Sequence, residues 1–315
     1  MTSVQVTVAN FIRAETDRMF TNLAAVAGGL NRFHHVRLPT PLDQQTVIRM
    51  NRDTLYSAAV VDLDAQPRLS IPDGGDRYLS VMVVNEDHYI NEVFHEPGEY
   101  LLRQTDFDTR FVTIAARILV DPANPADLAA VNSLQDRLEV IGVTDRVFET
   151  PHYDQTSLDG VRAALLELAK WAPSEAVRFG RKDEVDPIEH LIATASAWGG
   201  LPRQEAVYYG VQPRQPVGHY LIRVPADVPV DAFWSISVYN EAGFFEPNDR
   251  DCYSVNSVTA STNPDRSVTV HFGGCDEQPA NCIPITDGWN YVVRLYQPRR
   301  EILDGTWSFP SLQPA

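Results

Sequence analysis

Seven consecutive residues, Asn51-Arg52-Asp53-Thr54-Leu55-Tyr56-Ser57, gather an amide, a guanidinium, a carboxylate and a phenol at the mouth of an apolar run. Arg52 has the fork geometry to clamp a carboxylate, Asp53 can serve as a base or hold Arg52, and Tyr56 can orient a bound molecule. In extended chain Asn51, Asp53 and Leu55 share one face, and Arg52, Thr54 and Tyr56 share the other. Arg52, Asp53 and Tyr56 are therefore the catalytic candidates, with Asn51 as a neighbouring ligand contact. A plainer alternative is packing: Arg52 pairs with Asp53 while Tyr56 pins the strand to a helix.

Other chemistry-bearing residues are more scattered. His88-x3-Glu92-x2-His95, with Glu99 beyond, places His88 and Glu92 on one strand face, but His95 needs a turn to join them. The paired His-x-His of cupin-type metal sites is absent. His271-x3-Cys275-x6-Cys282 lacks both the CxxC spacing and the fourth ligand of a zinc site. The adjacent His34 and His35 point opposite ways in extended chain. No metal or other cofactor is assigned. His88 remains a polar ligand contact, and Trp234 and Tyr239 are candidates for an aromatic groove. At strand spacing such aromatics more often build a core, and Trp234, Ile236 and Val238 share one face.

Strands and helices must position these groups. Phe11, Ile12, Glu15, Met19, Leu23 and Val26 keep a helical spacing that stops at Gly28-Gly29. Thr54–Leu63, Tyr78–Val84 and Phe111–Leu119 then read as strands separated by turn clusters such as Pro72-Asp73-Gly74-Gly75-Asp76. Three helices follow. Asn124 with Pro125 opens the first, Thr156 or Ser157 caps the second, and Asp186-Pro187-Ile188-Glu189 begins the third. Strand signals return at Tyr220–Val224, Phe233–Tyr239, Ser267–Phe272 and Trp289–Tyr296 without intervening helices, which suggests an antiparallel sandwich.

The whole chain has 315 residues, too many for one ordinary domain. Its 26 Lys and Arg against 42 Asp and Glu leave a formal net charge of −16. A surface this acidic repels nucleic-acid backbones and anionic lipid. No nucleic acid or membrane partner is expected. The first residues lack a basic n-region and an apolar core, so a soluble, cytoplasmic protein is expected, with its three cysteines as free thiols. GxGxxG, GxxxxGK, GxSxG and HExxH are all missing, which removes the usual support for nucleotide-dependent and serine-hydrolase chemistry.

Asn51-Arg52-Asp53-Thr54-x-Tyr56-Ser57, Val61-Asp62-Leu63 and Asp76-Arg77-Tyr78 together resemble the N-terminal member of a bacterial pair of domains of unknown function, numbered 1254 and 1214. Trp198-Gly199-Gly200-Leu201-Pro202 and Ala206-x-Tyr208 also look like that family. Its C-terminal member is suggested by Phe233-Trp234-Ser235-x-Ser237-Val238-Tyr239, Tyr253-Ser254-x-Asn256-Ser257, Arg294-Leu295-Tyr296 and Ile302-Leu303-Asp304-Gly305-x-Trp307. The resemblance implies two β-sandwich domains, the second like a jelly roll, joined by a small helical module. One departure is Asn281-Cys282-Ile283-Pro284, where the family commonly has Asn-Trp-x-Pro. The family brings no agreed catalytic residues.

The expected architecture is mainly β. An N-terminal helix and antiparallel β-sandwich occupy 1–122, a helical connector 123–205, and a jelly-roll-like antiparallel domain 206–315. Two functions compete. One is binding or transformation of a small polar or carboxylate-bearing metabolite in an inter-domain cleft, with Arg52 binding, Asp53 moving a proton and Tyr56 orienting. The other is a non-catalytic binding or assembly protein, including a homo-oligomer, that uses sandwich loops and sheet edges.

Overall fold

A computed structural model describes residues 3–45, 47–142, 144–173, 176–276 and 280–315. The chain is mainly β, with antiparallel sheets, and it divides into two compact units. The first comprises residues 1–37, 55–119 and 129–203, and the second 38–54, 120–128 and 204–315. Among the described residues no helix is long and apolar enough to cross a membrane.

The first unit opens with α1 (Phe11–Ala27), which stops where Gly28 takes a left-handed conformation, φ 75°, open to a residue without a Cβ. Phe11 and Ala14 pack on Leu158, Leu165 and Ile192, while Phe20 joins Leu30 and Val60. Eight strands follow: β1 (His34–His35), β2 (Thr54–Asp62), β3 (Arg68–Ile71), β4 (Leu79–Asn85), β5 (Ile90–Phe94), β6 (Gly98–Leu101), β7 (Phe111–Leu119) and β8 (Glu139–Ile141). They form a five-stranded sheet, β1-β2-β7-β4-β5, and a three-stranded sheet, β6-β3-β8. β4 is buried along its whole length, so its continuous Leu79-Ser-Val-Met-Val-Val run needs no polar alternation.

The helices here are α2 (Gln104–Phe107), α3 (Pro125–Gln135), which crosses the division between units, α4 (Gln155–Ala169) and α5 (Pro187–Ser196). Asn124 caps α3, and the Asp186 carboxylate accepts from the Ile188 and Glu189 amides, as the sequence leads one to expect. In α4 the cap is Asp154 instead of Thr156 or Ser157. Its carboxylate accepts from the Ser157 amide at 2.8 Å, and the Ser157 hydroxyl is drawn to the Asp154 carbonyl. A carboxylate outcompetes the later hydroxyls for the orphan amides.

The second unit is a sandwich of two four-stranded sheets. One has the order β14 (Cys282–Ile283), β13 (Val268–Phe272), β10 (Tyr220–Val224), β16 (Gln313–Pro314). The other runs β12 (Ser254–Asn256), β11 (Trp234–Tyr239), β15 (Asn290–Tyr296), β9 (Ala206–Val211). A one-turn helix, α6 (Arg300–Leu303), follows β15. All pairs are antiparallel except the two-residue β13–β14 match. Ile222, Val224, Val270 and Phe272 from the first sheet meet Trp234, Ile236, Val293 and Leu295 from the second in one apolar core.

Cys275 and Cys282 are joined in a disulfide, and only Cys252 of the three remains a thiol. The expectation of three free thiols is therefore corrected. Residue spacing gives no view of the turn that brings β14 back beside β13 and the two sulfurs together.

Candidate functional site

Alternation along β11 and β15 sends Trp234, Ile236 and Val238 inward and leaves Ser235, Ser237 and Tyr239 on the opposite face. The register places Arg294 opposite Ser235, and Ser235 and Ser237 opposite Asn256 and Ser254. The sheet therefore has one apolar face and one polar face. Both are buried: Ser235, Ser237, Tyr239, Asn256 and Arg294 are all nearly inaccessible.

Residues 38–54 form a strap over this polar face. The Arg294 guanidinium donates to the carbonyls of Arg49 and Met50 at 2.9 and 3.2 Å, and to the Ser237 and Tyr239 hydroxyls. The Tyr239 hydroxyl in turn donates to the Met50 carbonyl at 2.7 Å. Asn51 Nδ2 donates to the Tyr296 hydroxyl, and Gln45 exchanges two hydrogen bonds with the backbone of Phe245. Met50 and Leu42 add apolar contact to Tyr239, Phe245, Tyr253 and Val292.

The strap delivers Arg52 and Asp53. Asp53 is 1% exposed. Its Oδ1 accepts from the Ser254 hydroxyl at 3.2 Å, its amide donates to Asn51 Oδ1, and its Oδ2 is buried with no hydrogen-bond partner among the described residues. Arg52 does not pair with it. Arg52 Nη1 donates to the Thr40 carbonyl, and the guanidinium lies 5.2 Å from the Tyr253 ring centroid and 5.9 Å from that of Phe245. Among the described residues it makes no ion pair within 4.0 Å. Burial lowers the Arg52 pKa, and the more distant Asp251 and Tyr253 only partly offset that. For Arg294, burial works against the charge, but Tyr239, Tyr296 and Asp53 hold its pKa above the ordinary value. Burial also raises the Tyr239 phenol, which keeps it protonated.

Arg52 lines a cavity of about 360 Å³ within the second unit, together with Arg250, Asp251, Tyr253, Ser254 and Asn256. Ser254 links it to Asp53. Because that hydroxyl proton is engaged by the carboxylate, Ser254 presents only its lone pairs to the cavity. Asn256 Oδ1 accepts from the Val258 and Thr259 amides and so shapes the loop after β12. The cavity therefore offers a donor-only cation at Arg52 and an acceptor at Ser254.

The remaining candidates lie elsewhere. Tyr56 belongs to the first unit, on β2, where the Arg117 guanidinium lies 5.6 Å from its ring centroid. His88 lies fully buried in the β4–β5 turn. The Gly199 amide donates to its Nε2, so Nδ1 carries the proton and donates to the Thr194 hydroxyl, which itself donates to the His190 carbonyl. Burial, with His190 nearby, keeps this imidazole neutral, its pKa well below the usual range. Trp234 sits in the sandwich core, and Tyr239 holds the strap. His271 Nδ1 lies 3.2 Å from His219 Nε2. Among the described residues no group of three or more His, Cys, Asp or Glu side chains could hold a metal ion.

Arg294 and Ser254 were not singled out as site residues from the sequence. The signal for Arg294 is a lone cation inside the apolar run Tyr291-Val292-Val293-Arg294-Leu295-Tyr296, and that for Ser254 is the polar parity of Ser254 and Asn256 on a short strand.

Similarity to known proteins bears on the fold and the family. The VPA0106 protein from Vibrio parahaemolyticus aligns over 98% of this chain and 97% of its own, at 17% identity and a TM-score of 0.72. An uncharacterized protein from Burkholderia cenocepacia aligns over 97% of this chain and 86% of its own, at 18% identity and a TM-score of 0.58. At these identities the likeness concerns the fold alone. Among curated proteins none matches. Two families, each described as a protein of unknown function, match directly: DUF1254 over residues 30–141 and DUF1214 over residues 212–300. The chain belongs to the two-domain family of unknown function in which a DUF1254 region is followed by a DUF1214 region.

Proposed function

We propose that the second unit binds a small polar metabolite carrying a carboxylate and a neighbouring hydroxyl or amine, in the cavity lined by Arg52 and Ser254. The observation that carries this reading is the state of Arg52. Its guanidinium is half-buried, braced by two aromatic rings and one carbonyl, lines a cavity, and among the described residues has no carboxylate within ion-pair distance. A desolvated guanidinium in that position gains most from a bidentate carboxylate. Ser254, with its proton on Asp53, is suited to accept from a hydroxyl or amine of the same molecule. Asp53 has no place on the cavity wall and acts through Ser254, as a positioning residue. That favours binding over proton transfer by Asp53 itself.

Titration calorimetry of the full chain with glycolate, L-lactate, L-malate and glycine at low ionic strength tests this. At least one hydroxy or amino acid should bind saturably, and Arg52→Gln should weaken it at least tenfold, as expected for a lost charge-assisted hydrogen bond. Binding by none of the four, or equal binding by the Arg52→Gln protein, would overturn the assignment.

A further inference from the structure

The apolar face of the same sheet opens into a second cavity, of about 500 Å³. Tyr209 and Val211 of β9 lie directly opposite Val293 and Tyr291 of β15, so the four share one face and form one wall. Phe309 and Leu312, from the segment after α6, line the cavity as well. All six belong to, or pack against, the sandwich core, and the cavity opens to solvent along a rim that includes the exposed Gln215, Ser308 and Ser311. Its volume lies within the span usual for small-molecule sites.

Two features define what would fit. First, none of the lining residues is an Asp, Glu, Lys, Arg or His; the polar ones are serines, a glutamine and tyrosines. An ionised group entering here would lose its hydration with no countercharge to replace it. Second, Tyr291 is 3% exposed, and no hydrogen bond to its hydroxyl is made by the described residues. Burial is the cause that pushes this phenol up to about 12, so it is a protonated donor at neutral pH. With its ring packed in the core, this tyrosine keeps a hydroxyl, unengaged among the described residues, that can donate to an acceptor bound in the cavity.

We propose that this cavity is a binding site for a neutral, mainly aliphatic or aromatic small molecule with a single hydrogen-bond acceptor (an alcohol, ketone or ester of medium chain length), oriented by the Tyr291 hydroxyl. It is distinct from the Arg52 cavity and would select against the charged molecules suited to that one.

Calorimetry of the full chain at pH 8 with octan-1-ol and with octanoate, which share a chain and differ in charge, is the test. Octan-1-ol should bind one to one and octanoate at least tenfold more weakly. Tyr291→Phe should weaken octan-1-ol about fivefold, the worth of one neutral hydrogen bond. Val211→Trp, at a half-exposed strand position, should fill the cavity and abolish binding while an unchanged melting curve reports an intact fold. Arg52→Gln should leave octan-1-ol binding unchanged, which separates this site from the polar one. Octanoate binding as tightly as octan-1-ol, retained affinity in Val211→Trp, or no effect of Tyr291→Phe would overturn the proposal. So would a self-association, seen by sedimentation velocity, that Val211→Trp disrupts in a protein that takes up no octan-1-ol.

Discussion

Arg294 shows how one buried charge can fix the position of a whole segment. Its guanidinium is enclosed among two carbonyls and two hydroxyls, and Tyr239, Tyr296 and, on the strap, Asp53 hold its charge against burial. Asp53 is among the groups that hold the Arg294 charge and it accepts from the Ser254 hydroxyl, so Asp53→Ala should lower stability by about 2 kcal/mol in urea unfolding. A variant within about 0.5 kcal/mol of the parent, the usual scatter for neutral surface changes, would show that the two charges are not coupled. A second buried carboxylate behaves in the opposite sense. Burial raises Asp17 to about 6, despite the hydrogen bond it accepts from the Tyr153 hydroxyl at 2.8 Å. The folded chain thus holds this proton more tightly than the unfolded chain, whose aspartate releases it near the ordinary value of 3.8. Stability from this group is present below about pH 4 and is lost as pH rises to about 6, a difference of about 3 kcal/mol. Asp17→Asn should flatten that slope and raise the melting temperature at pH 8; an unchanged pH profile would refute the assignment. In the sequence, the density of polar types at 51–56 singles out Arg52 and Asp53. It did not show that Arg52 leaves Asp53 and stacks on Tyr253, because that choice depends on the distant rings of Phe245 and Tyr253.

At the level of elements, periodicity served best where strands are long. β2, β7, β10, β11, β13 and β15 begin and end within a residue or two of their apolar runs. The two-residue strands β1, β14 and β16 are too short to carry any period. The parity of Trp234, Ile236 and Val238 showed which face is core, but that the other face is buried rests on the strap. Arg49, whose carbonyl Arg294 holds, is 245 positions earlier. Hydrogen exchange reports on the strap directly. The Arg49 amide, donated to the Gly243 carbonyl at 2.8 Å, should exchange slowly in the parent and much faster in Arg294→Met. Equal protection in both proteins would mean that the strap is held by its apolar contacts alone. The disulfide belongs to this scale too. Denatured, unreduced protein should titrate one thiol, Cys252, and three after reduction. Closing the short Cys275–Cys282 loop stabilises by about 2.5 kcal/mol in the chain-entropy picture, so Cys275→Ser with Cys282→Ser should unfold at lower urea concentration. Three thiols before reduction would remove the bond from the native state.

For the molecule as a whole, the consequence lies in how the chain is shared between units. It passes from one unit to the other at 37/38, 54/55, 119/120, 128/129 and 203/204. The second unit is therefore not a contiguous C-terminal domain, although its eight strands, β9 to β16, all lie after residue 204. A fragment of residues 204–315 retains every strand of the sandwich and its apolar core, but lacks the strap. In it Arg294 loses the carbonyls of Arg49 and Met50 together with Asp53, and Tyr239, Phe245 and Tyr253 lose the cover of Leu42 and Met50. A guanidinium without its acceptors and an uncovered aromatic cluster together cost several kcal/mol, comparable to the whole stability of a domain this size. The fragment should therefore lack a cooperative thermal transition and bind a hydrophobic dye. A synthetic peptide of residues 38–54 added in trans should restore the transition in a concentration-dependent way, since binding to the folded state alone stabilises it by mass action. A fragment that melts cooperatively near the parent temperature without the peptide would mean that the strap only decorates an autonomous sandwich, and the positions of Arg52 and Asp53 would then need another cause.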